Sequence, residues 1–103
     1  MTGIERIAKE CARQIELGYD AAHDDGHVLG ELATAAACYA AYAAGKDDIK
    51  VLRFDRDQTA CDAWPFEAEA DNRGKISPER LLEIAGALIA AELDRLERAR
   101  ERV

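Results

Sequence analysis

The stretch His23-Asp24-Asp25-Gly26-His27-Val28-Leu29-Gly30-Glu31-Leu32 holds both histidines of the 103-residue chain and three of its acidic residues. If it belongs to a helix capped by Asp20, a rotation of about 100° per residue places Asp24, His27 and Glu31 on one stripe. This polar stripe borders an apolar stripe of the same helix, whose members are Val28, Leu32, Ala36, Tyr39 and Ala43. Polar groups at such a border are half out of water, so the stretch is a candidate site for a metal ion or a charged ligand.

Two starts are open for the helix that carries this stretch. The first predicts one helix over residues 21–44, ended by the glycine that follows. The second begins near Gly26, after a capping aspartate, and leaves only His27 and Glu31 in the cluster. In both cases the alanine-rich half buries little area per residue. We therefore expect its stability to come from neighbouring helices, including those of a second subunit.

Helices are also predicted on either side of this one. Thr2-Gly3-Ile4-Glu5 matches a capping box and is followed by apolar residues at helical spacing, which predicts a helix over residues 3–17. Ser77-Pro78-Glu79 combines a capping side chain, a first-turn proline and an acid, which predicts a helix over residues 78–101. The polar side of the first helix carries two i,i+4 ion pairs, Glu5 with Lys9 and Arg6 with Glu10.

Residues 45–76 show no helical period. A loop of this length is too long to be idle in a small domain, so we expect a lid, an arm that packs on a partner, or a partly disordered segment. The chain is predicted to be one all-α domain, residues 1–103, with three main helices in a small bundle and this irregular loop between the second and third. A homo-oligomer is expected, because the third helix has more apolar surface than two alanine-rich neighbours cover.

Glu92 falls near the middle of the apolar arc of the third helix. An ionised carboxylate there needs an arginine, a histidine or a metal ion, because an unpaired buried charge is costly. Packing of the second and third helices would set Glu92 opposite Asp24, His27 and Glu31, which predicts a site of these four residues for Mg²⁺ or Mn²⁺. A water activated by the cation would be the nucleophile, with the catalytic groups Glu31 or Asp24 as ligand or general base. The alternative is a buried polar network in which Glu92 pairs with Arg13 or His27 and no ligand binds.

Four more side chains are candidates for the site, and three of them have a second interpretation. Arg13 complements the carbonyl end of the first helix, or it holds a phosphate or an acid of the central cluster. Gln14, in the same turn, is a candidate for the same ligand. His23 is a proton shuttle or a solvated residue. Trp64 is an anchor onto the core or a direct ligand contact.

The composition excludes several classes of function. A net charge of −7 argues against a surface that neutralises phosphates, so no direct binding of nucleic acid is expected, although a local arginine cluster can still hold a phosphate. No apolar run is long enough to cross a membrane, and the first residues lack the layout of a signal peptide. Three cysteines without CxxC spacing suit a reducing compartment. A cytoplasmic protein is therefore expected.

The pattern resembles a family of small proteins encoded in phage and prophage regions of bacterial genomes. The run HDDxHxxGEL at residues 23–32 is the most specific element of the resemblance. The other matching residues cover most of the chain and are Arg13-Gln14, Gly18-Tyr19-Asp20, Ala35-Ala36, Tyr39-Ala40, Trp64-Pro65, Ala85-Gly86-Ala87-Leu88-Ile89, Ala91-Glu92 and Arg95-Leu96. The loop departs from the family, which has further tryptophans where this chain has Phe66-Glu67 and Gly74-Lys75. The resemblance implies a bacterial host cell. It also adds Tyr19 to the candidate ligand-binding residues Arg13, Gln14, His23 and Trp64.

The step Gly30-Glu31-Leu32-Ala33, followed by a second acidic helix, is more distantly similar to the all-helical MazG-type nucleoside triphosphate pyrophosphohydrolases. Those enzymes bind Mg²⁺ through an EExxE element on one helix and ExxD on the next. This chain has His27 where one acid stands, and Arg95 in place of the aspartate three residues after Glu92. The departure bears on catalysis more than on nucleotide binding.

These residues and resemblances lead to alternative functions. The first is a phage-type nucleotide-binding protein, either a metal-dependent nucleotide pyrophosphohydrolase or a degenerate relative that only binds. The second is a non-enzymatic counter-defence protein that sequesters a nucleotide signal or inhibits a host defence complex. A third is a homo-oligomeric helical module whose polar cluster only sets the helix register.

Overall fold

The computed structural model describes residues 1–46, 53–54, 60–61 and 63–102. The helices are α1 (Gly3–Glu16), α2 (Ala21–Asp24), α3 (Glu31–Ala43) and α4 (Pro78–Glu101), with a 3₁₀ turn at Ala68–Ala70. Two short strands, β1 (Arg53–Phe54) and β2 (Ala60–Cys61), pair antiparallel. The fold class is all-α, as predicted, and α1, α3 and α4 are its main helices.

Local capping signals set where α1 and α4 begin. The Glu5 backbone N–H donates to the Thr2 hydroxyl at 3.2 Å, and the Thr2 N–H donates to the Glu5 carboxylate at 2.9 Å. Ser77 caps α4 by accepting from the Arg80 N–H at 3.2 Å, and Pro78 occupies the first turn. Both helices therefore begin where their capping residues indicate.

The single helix predicted over residues 21–44 is wrong, and so is the alternative start near Gly26. α2 is one turn long, residues 25–30 form turns and bends, and α3 begins only at Glu31. Gly30 stands at the start of α3 with a φ of +81°. Because a left-handed backbone is disfavoured for residues with a Cβ, a glycine suits this position.

Ion pairs from α4 hold the joint between α2 and α3 in place. Arg98 donates to the Asp25 carboxylate at 3.0 Å, and Arg102 donates to its other oxygen at 2.7 Å. These two guanidinium groups lower the pKa of Asp25 below its ordinary value. The contacts join residues 73 and 77 positions apart in the chain, so helical periodicity could not reveal them.

α4 is the central helix, and the other three helices pack against it. The core is a cluster of four buried residues from α3 and α4, namely Ala36, Tyr39, Leu81 and Ala85. α1 approaches α4 closely, since a Cβ added to Gly86 would lie 2.5 Å from Cδ1 of Ile7. The molecule is flat, with extents of 38 × 38 × 21 Å.

Residues 63–76 form the part of the predicted loop that packs onto the core. The ring of Trp64 lies against that of Tyr39, with centroids 5.1 Å apart. The Tyr39 hydroxyl donates to the Ala70 carbonyl at 3.1 Å and accepts from the Asn72 N–H at 3.0 Å. This segment is therefore an arm fixed to α3. Residues 47–52, 55–59 and 62 of the predicted loop lie outside the described residues.

The described helices also bear on the predicted partners. Among residues 1–46 and 63–102, no helix combines the length and the apolar character that crossing a bilayer requires. α4 leaves Leu82, Ile89, Leu93 and Leu96 half-exposed. The homo-oligomer itself stays a prediction.

Candidate functional site

A cleft of about 440 Å³ lies over the core, between the end of α1, the α2–α3 joint, α3 and residues 63–72. Its walls combine apolar side chains of α3 and α4 with aromatic rings and a few polar groups. Small-molecule sites typically have this size and this mixture of walls. We call it the aromatic cleft.

The aromatic rings form a continuous series along the aromatic cleft. Successive ring centroids lie 4.9 to 5.8 Å apart, and four of the five contacts are edge-to-face. Contacts of this kind restrict the orientation of each ring. Burial raises the pKa of Tyr39, which keeps its hydroxyl protonated. The rings are, in order, Tyr19, His23, His27, Phe66, Trp64 and Tyr39.

Two buried carboxylates, Glu10 and Asp24, also line the aromatic cleft. Asp24 lies against His23, with Oδ1 3.3 Å from Nδ1. Glu10 accepts hydrogen bonds from three side chains, Arg80 at 2.9 Å, Arg13 at 3.2 Å and Gln14 at 3.1 Å. Because ionised carboxylates accept hydrogen bonds and do not donate them, these groups favour a ligand with N–H or amino groups.

A second cleft, of about 690 Å³, shares Glu10 and Arg13 with the aromatic cleft. The carboxylates of Glu10 and Glu83 line it, together with four cationic side chains. The cations are Arg6, Lys9, Arg13 and Arg80. A hydrogen bond to Glu83 raises the pKa of Arg80. Burial lowers this pKa, but a hydrogen bond to Glu10 raises it further, so Arg80 stays charged. We call it the basic cleft. It is larger but has no aromatic wall, so we place the centre of the candidate site in the aromatic cleft.

The aromatic cleft gathers most of the residues that sequence reasoning selected. All five predicted ligand-binding residues line it, namely Arg13, Gln14, Tyr19, His23 and Trp64. Asp24 and His27, two of the four predicted metal ligands, line it as well. The fold thus brings seven of the predicted residues together, while their role in binding stays a prediction.

Glu31, a predicted metal ligand and catalytic group, is not among the lining residues. Its carboxylate lies 3.3 Å from Nδ1 of His27 and accepts from the Leu29 N–H at 2.6 Å. Burial opposes the charge on Glu31, but hydrogen bonds from its own N–H, the Leu29 N–H and His27 outweigh burial and lower its pKa. The contacts of this carboxylate therefore close the turn that precedes α3.

Glu92 is buried, as expected, but its partner is not the expected one. Arg95, on the same helix, donates to the Glu92 carboxylate. The expected pairing with Arg13 or His27 is wrong. An arginine three residues along the same helix lies within reach whatever the packing, whereas a partner on another helix depends on how the helices meet.

Within the described ranges, no three His, Cys, Asp or Glu side chains come together in a way that could hold a metal ion. Asp24 and His27 line the aromatic cleft, whereas Glu31 and Glu92 are not part of its lining. Hard cations such as Mg²⁺ and Mn²⁺ require several oxygen ligands around one point. The site of four residues for Mg²⁺ or Mn²⁺ therefore gains no geometric support and stays a prediction.

Sequence reasoning did not select Glu10 or Phe66 for the site. Glu10 was expected to pair with Arg6 on the polar side of the first helix, but Arg6 binds two acids of α4, Glu79 at 2.8 Å and Glu83 at 2.7 Å. A signal was available, because Glu10 lies three residues after Ile7 and so faces nearly the same way. Phe66 lies in an irregular segment, where no period could place it.

Comparisons with known proteins leave the family open. No protein family, curated protein or solved structure matches this chain. The resemblances to the phage-encoded family and to the MazG-type enzymes therefore stay predictions. Function has to be argued from the geometry and chemistry of the site itself.

Proposed function

We propose that this chain binds a nucleotide, with the base in the aromatic cleft and the phosphates in the basic cleft. The observation that carries the proposal is the meeting of the two clefts at Glu10 and Arg13. A nucleotide has the same two parts side by side, a planar heteroaromatic ring and a polyanion. The arrangement of walls along the clefts therefore matches the arrangement of groups along the ligand.

The aromatic cleft supplies a rigid aromatic wall for a base. Trp64 is held in place, because its Nε1–H donates to the Glu67 carbonyl at 3.0 Å and Arg73 lies over its ring at 5.5 Å. Phe66 and His27 stand edge-to-face next to it in the series. Because Tyr39 and Arg73 already lie against the Trp64 ring, a base contacts this wall at the ring edges, and one edge-to-face contact contributes about 0.5–1.5 kcal/mol.

The buried carboxylates orient the ligand. Glu10 and Asp24 can both accept hydrogen bonds from amino or ring N–H groups, and Asp24, which lines the aromatic cleft but not the basic cleft, repels phosphate oxygens there. A nucleotide therefore enters the aromatic cleft with its base first, and its phosphates remain on the side of the basic cleft. There the phosphates meet Arg13, whose side chain is more than half exposed and can reach a ligand. Guanidinium groups bind phosphate through two N–H donors at once.

Hydrolysis is a further step that this geometry does not require. A pyrophosphohydrolase would need Mg²⁺ or Mn²⁺ and a water oriented by Asp24 or Glu31. A non-enzymatic counter-defence protein would use the same clefts to sequester a nucleotide signal in the cytoplasm of the bacterial host cell. Analysis of products separates the two. Release of pyrophosphate with Mg²⁺ or Mn²⁺ supports the enzyme, and recovery of unchanged nucleotide supports sequestration.

Thermal unfolding in the presence of ligands tests the binding proposal. The probes are nucleoside triphosphates, nucleosides and inorganic triphosphate. At about 100 times Kd, a ligand adds about 2.7 kcal/mol to the stability of the folded chain. In a domain of this size, that corresponds to a rise in Tm of roughly 10 to 20 °C. Intact nucleotides are expected to stabilise most, because only they fill both clefts.

Two variants and a control assign the parts of the ligand to the clefts. Trp64→Leu is expected to weaken binding of nucleosides and nucleotides alike. Arg13→Gln is expected to weaken nucleotides and to leave nucleosides unchanged. The control is Lys75→Gln, which removes an exposed cation that lines neither cleft. The proposal fails if no nucleotide raises Tm, or if Arg13→Gln behaves like Lys75→Gln.

A further inference from the structure

We propose that a second copy of this chain docks on the face of the molecule opposite the aromatic cleft, with the two α4 helices antiparallel. The inference is independent of the nucleotide proposal. α4 presents four half-exposed aliphatic side chains, namely Leu82, Ile89, Leu93 and Leu96. Spacings of seven, four and three residues place all four within about 60° of one another on the helix. They form one continuous apolar stripe.

α1 places a second apolar stripe beside the first. Ile4 and Ile15 are exposed and eleven residues apart, so they lie on one side of α1. Ile7, on the neighbouring side of α1, is packed against Gly86 of α4. This contact sets the two stripes next to each other. We call Ile4, Ile15, Leu82, Ile89, Leu93 and Leu96 the apolar face.

The apolar face does not overlap the aromatic cleft. Ile84, Leu88 and Ala91 are the α4 residues that line the cleft. By helical rotation they lie roughly 110 to 170° from the centre of the α4 stripe. The cleft and the α4 part of the apolar face therefore lie on opposite sides of α4. A second copy on the apolar face leaves the cleft open.

The area of the apolar face suits the centre of a dimer interface. Its six side chains are between 50% and 83% exposed. Full burial of one aliphatic side chain removes about 100 Å² from water, so the six offer on the order of 350 Å². A standard interface buries about 800 Å² on each partner, of which roughly 60% is apolar. The apolar face therefore supplies most of the apolar area that such a dimer needs.

Charges at the ends of the α4 stripe select the antiparallel arrangement. Glu79 stands at the amino end and Arg100 at the carboxyl end, and both side chains are largely exposed. Between positions 80 and 96, Glu92 is the charged residue within about 60° of the stripe, and its carboxylate is buried and bound to Arg95. Arg100 lies on the stripe itself, so a parallel pair would set it against Arg100 of the second copy. An antiparallel pair centred on Ile89 removes that contact and places Arg100 between its own partner Glu97 and Glu79 of the second copy, twice by symmetry.

Sedimentation velocity over a range of protein concentrations tests this dimer. Leu93→Asp is expected to raise the dissociation constant about thirtyfold or more, because it places a charge in the centre of the interface. The matched control is Leu17→Asp. Leu17 is 59% exposed against 62% for Leu93, but it lines the aromatic cleft. The control is expected to dimerise like the parent chain, and circular dichroism checks that both variants fold.

Charge reversal tests the direction of the helices. Glu79→Arg and Arg100→Glu are each expected to weaken the dimer, and the double variant is expected to restore it. The proposal is overturned if the chain is monomeric at every concentration, or if Leu17→Asp weakens the dimer as much as Leu93→Asp. A double variant weaker than both single variants would overturn the antiparallel arrangement. A monomer that binds phosphatidylglycerol vesicles would assign the apolar face to a membrane surface instead.

Discussion

Replacing Glu10 by glutamine is expected to lower the free energy of unfolding by about 2 kcal/mol. The Glu10 side chain is 1% exposed, and its two oxygens accept from Arg80, Arg13 and Gln14. Glutamine has nearly the same size and keeps one oxygen, but its amide nitrogen cannot accept. Arg80 or Arg13 therefore loses its hydrogen bond to residue 10, at the junction of the two clefts.

The size of the loss follows from the surroundings of each donor. A hydrogen bond to a charged group contributes about 1.5–3 kcal/mol. Arg13 is more than half exposed and can turn to water, and Arg80 keeps its contact with Glu83. The loss therefore stays below the 3–5 kcal/mol typical of a pair that is buried on both sides. About 2 kcal/mol corresponds to a fall in Tm of roughly 10 °C for a domain of this size.

Urea unfolding at a protein concentration low enough for the chain to be monomeric measures this loss, and Glu79→Gln is its control. Glu79 pairs with Arg6 at 2.8 Å, as close as the pair of Glu10 with Arg80, but its side chain is 75% exposed. An exposed pair of this kind contributes about 0.5 kcal/mol or less. If the two variants lose the same free energy of unfolding, burial does not increase the contribution of the Glu10 ion pairs and the reasoning is refuted.

Three further outcomes are expected. Gly86→Ala should lower the free energy of unfolding by about 1–2 kcal/mol, because the added Cβ would lie 2.5 Å from Cδ1 of Ile7. Ile7→Val deletes that atom. In urea titrations the double variant should therefore lose less stability than the sum of the two single variants. Arg98 and Arg102 lower the pKa of Asp25, so its stabilisation is present above the ordinary value of 3.8 and is lost as pH falls through the lower folded pKa. The difference in Tm between the parent chain and Asp25→Asn should therefore shrink below about pH 4. A Tm difference that stays the same at every pH would contradict this account. Tyr39→Phe should lower the free energy of unfolding by about 1–2 kcal/mol, because Ala70 and Asn72 lose the hydroxyl that both bind. Proteolysis within residues 66–73 should become faster. An unchanged cleavage rate would argue against an arm fixed to α3.

Features that depend on a few neighbouring residues were accessible to sequence reasoning. The capping box at Thr2 and the Ser77-Pro78 start placed α1 and α4, because caps act within one turn. Three of the selected residues in the aromatic cleft, His23, Asp24 and His27, were selected because they cluster in the chain. A one-turn helix and a tight turn kept that cluster together in space even though the predicted long helix was wrong.

Features that depend on distant partners were not accessible. Nothing near Asp25 in the chain shows that Arg98 and Arg102 will bind it, so the break between α2 and α3 could not be placed. The burial of Glu10 beneath Arg80 likewise depends on how the helices meet.

The sequence by itself therefore determined the all-α class, the starts of α1 and α4, and seven of the nineteen residues that line the aromatic cleft. Each of these follows from caps, helical periodicity or closeness along the chain. The tertiary structure alone decided that Glu10 is buried beneath Arg80, that Arg98 and Arg102 bind Asp25, and where the aromatic cleft meets the basic cleft. Those outcomes depend on distances between helices, which packing sets and no local pattern encodes.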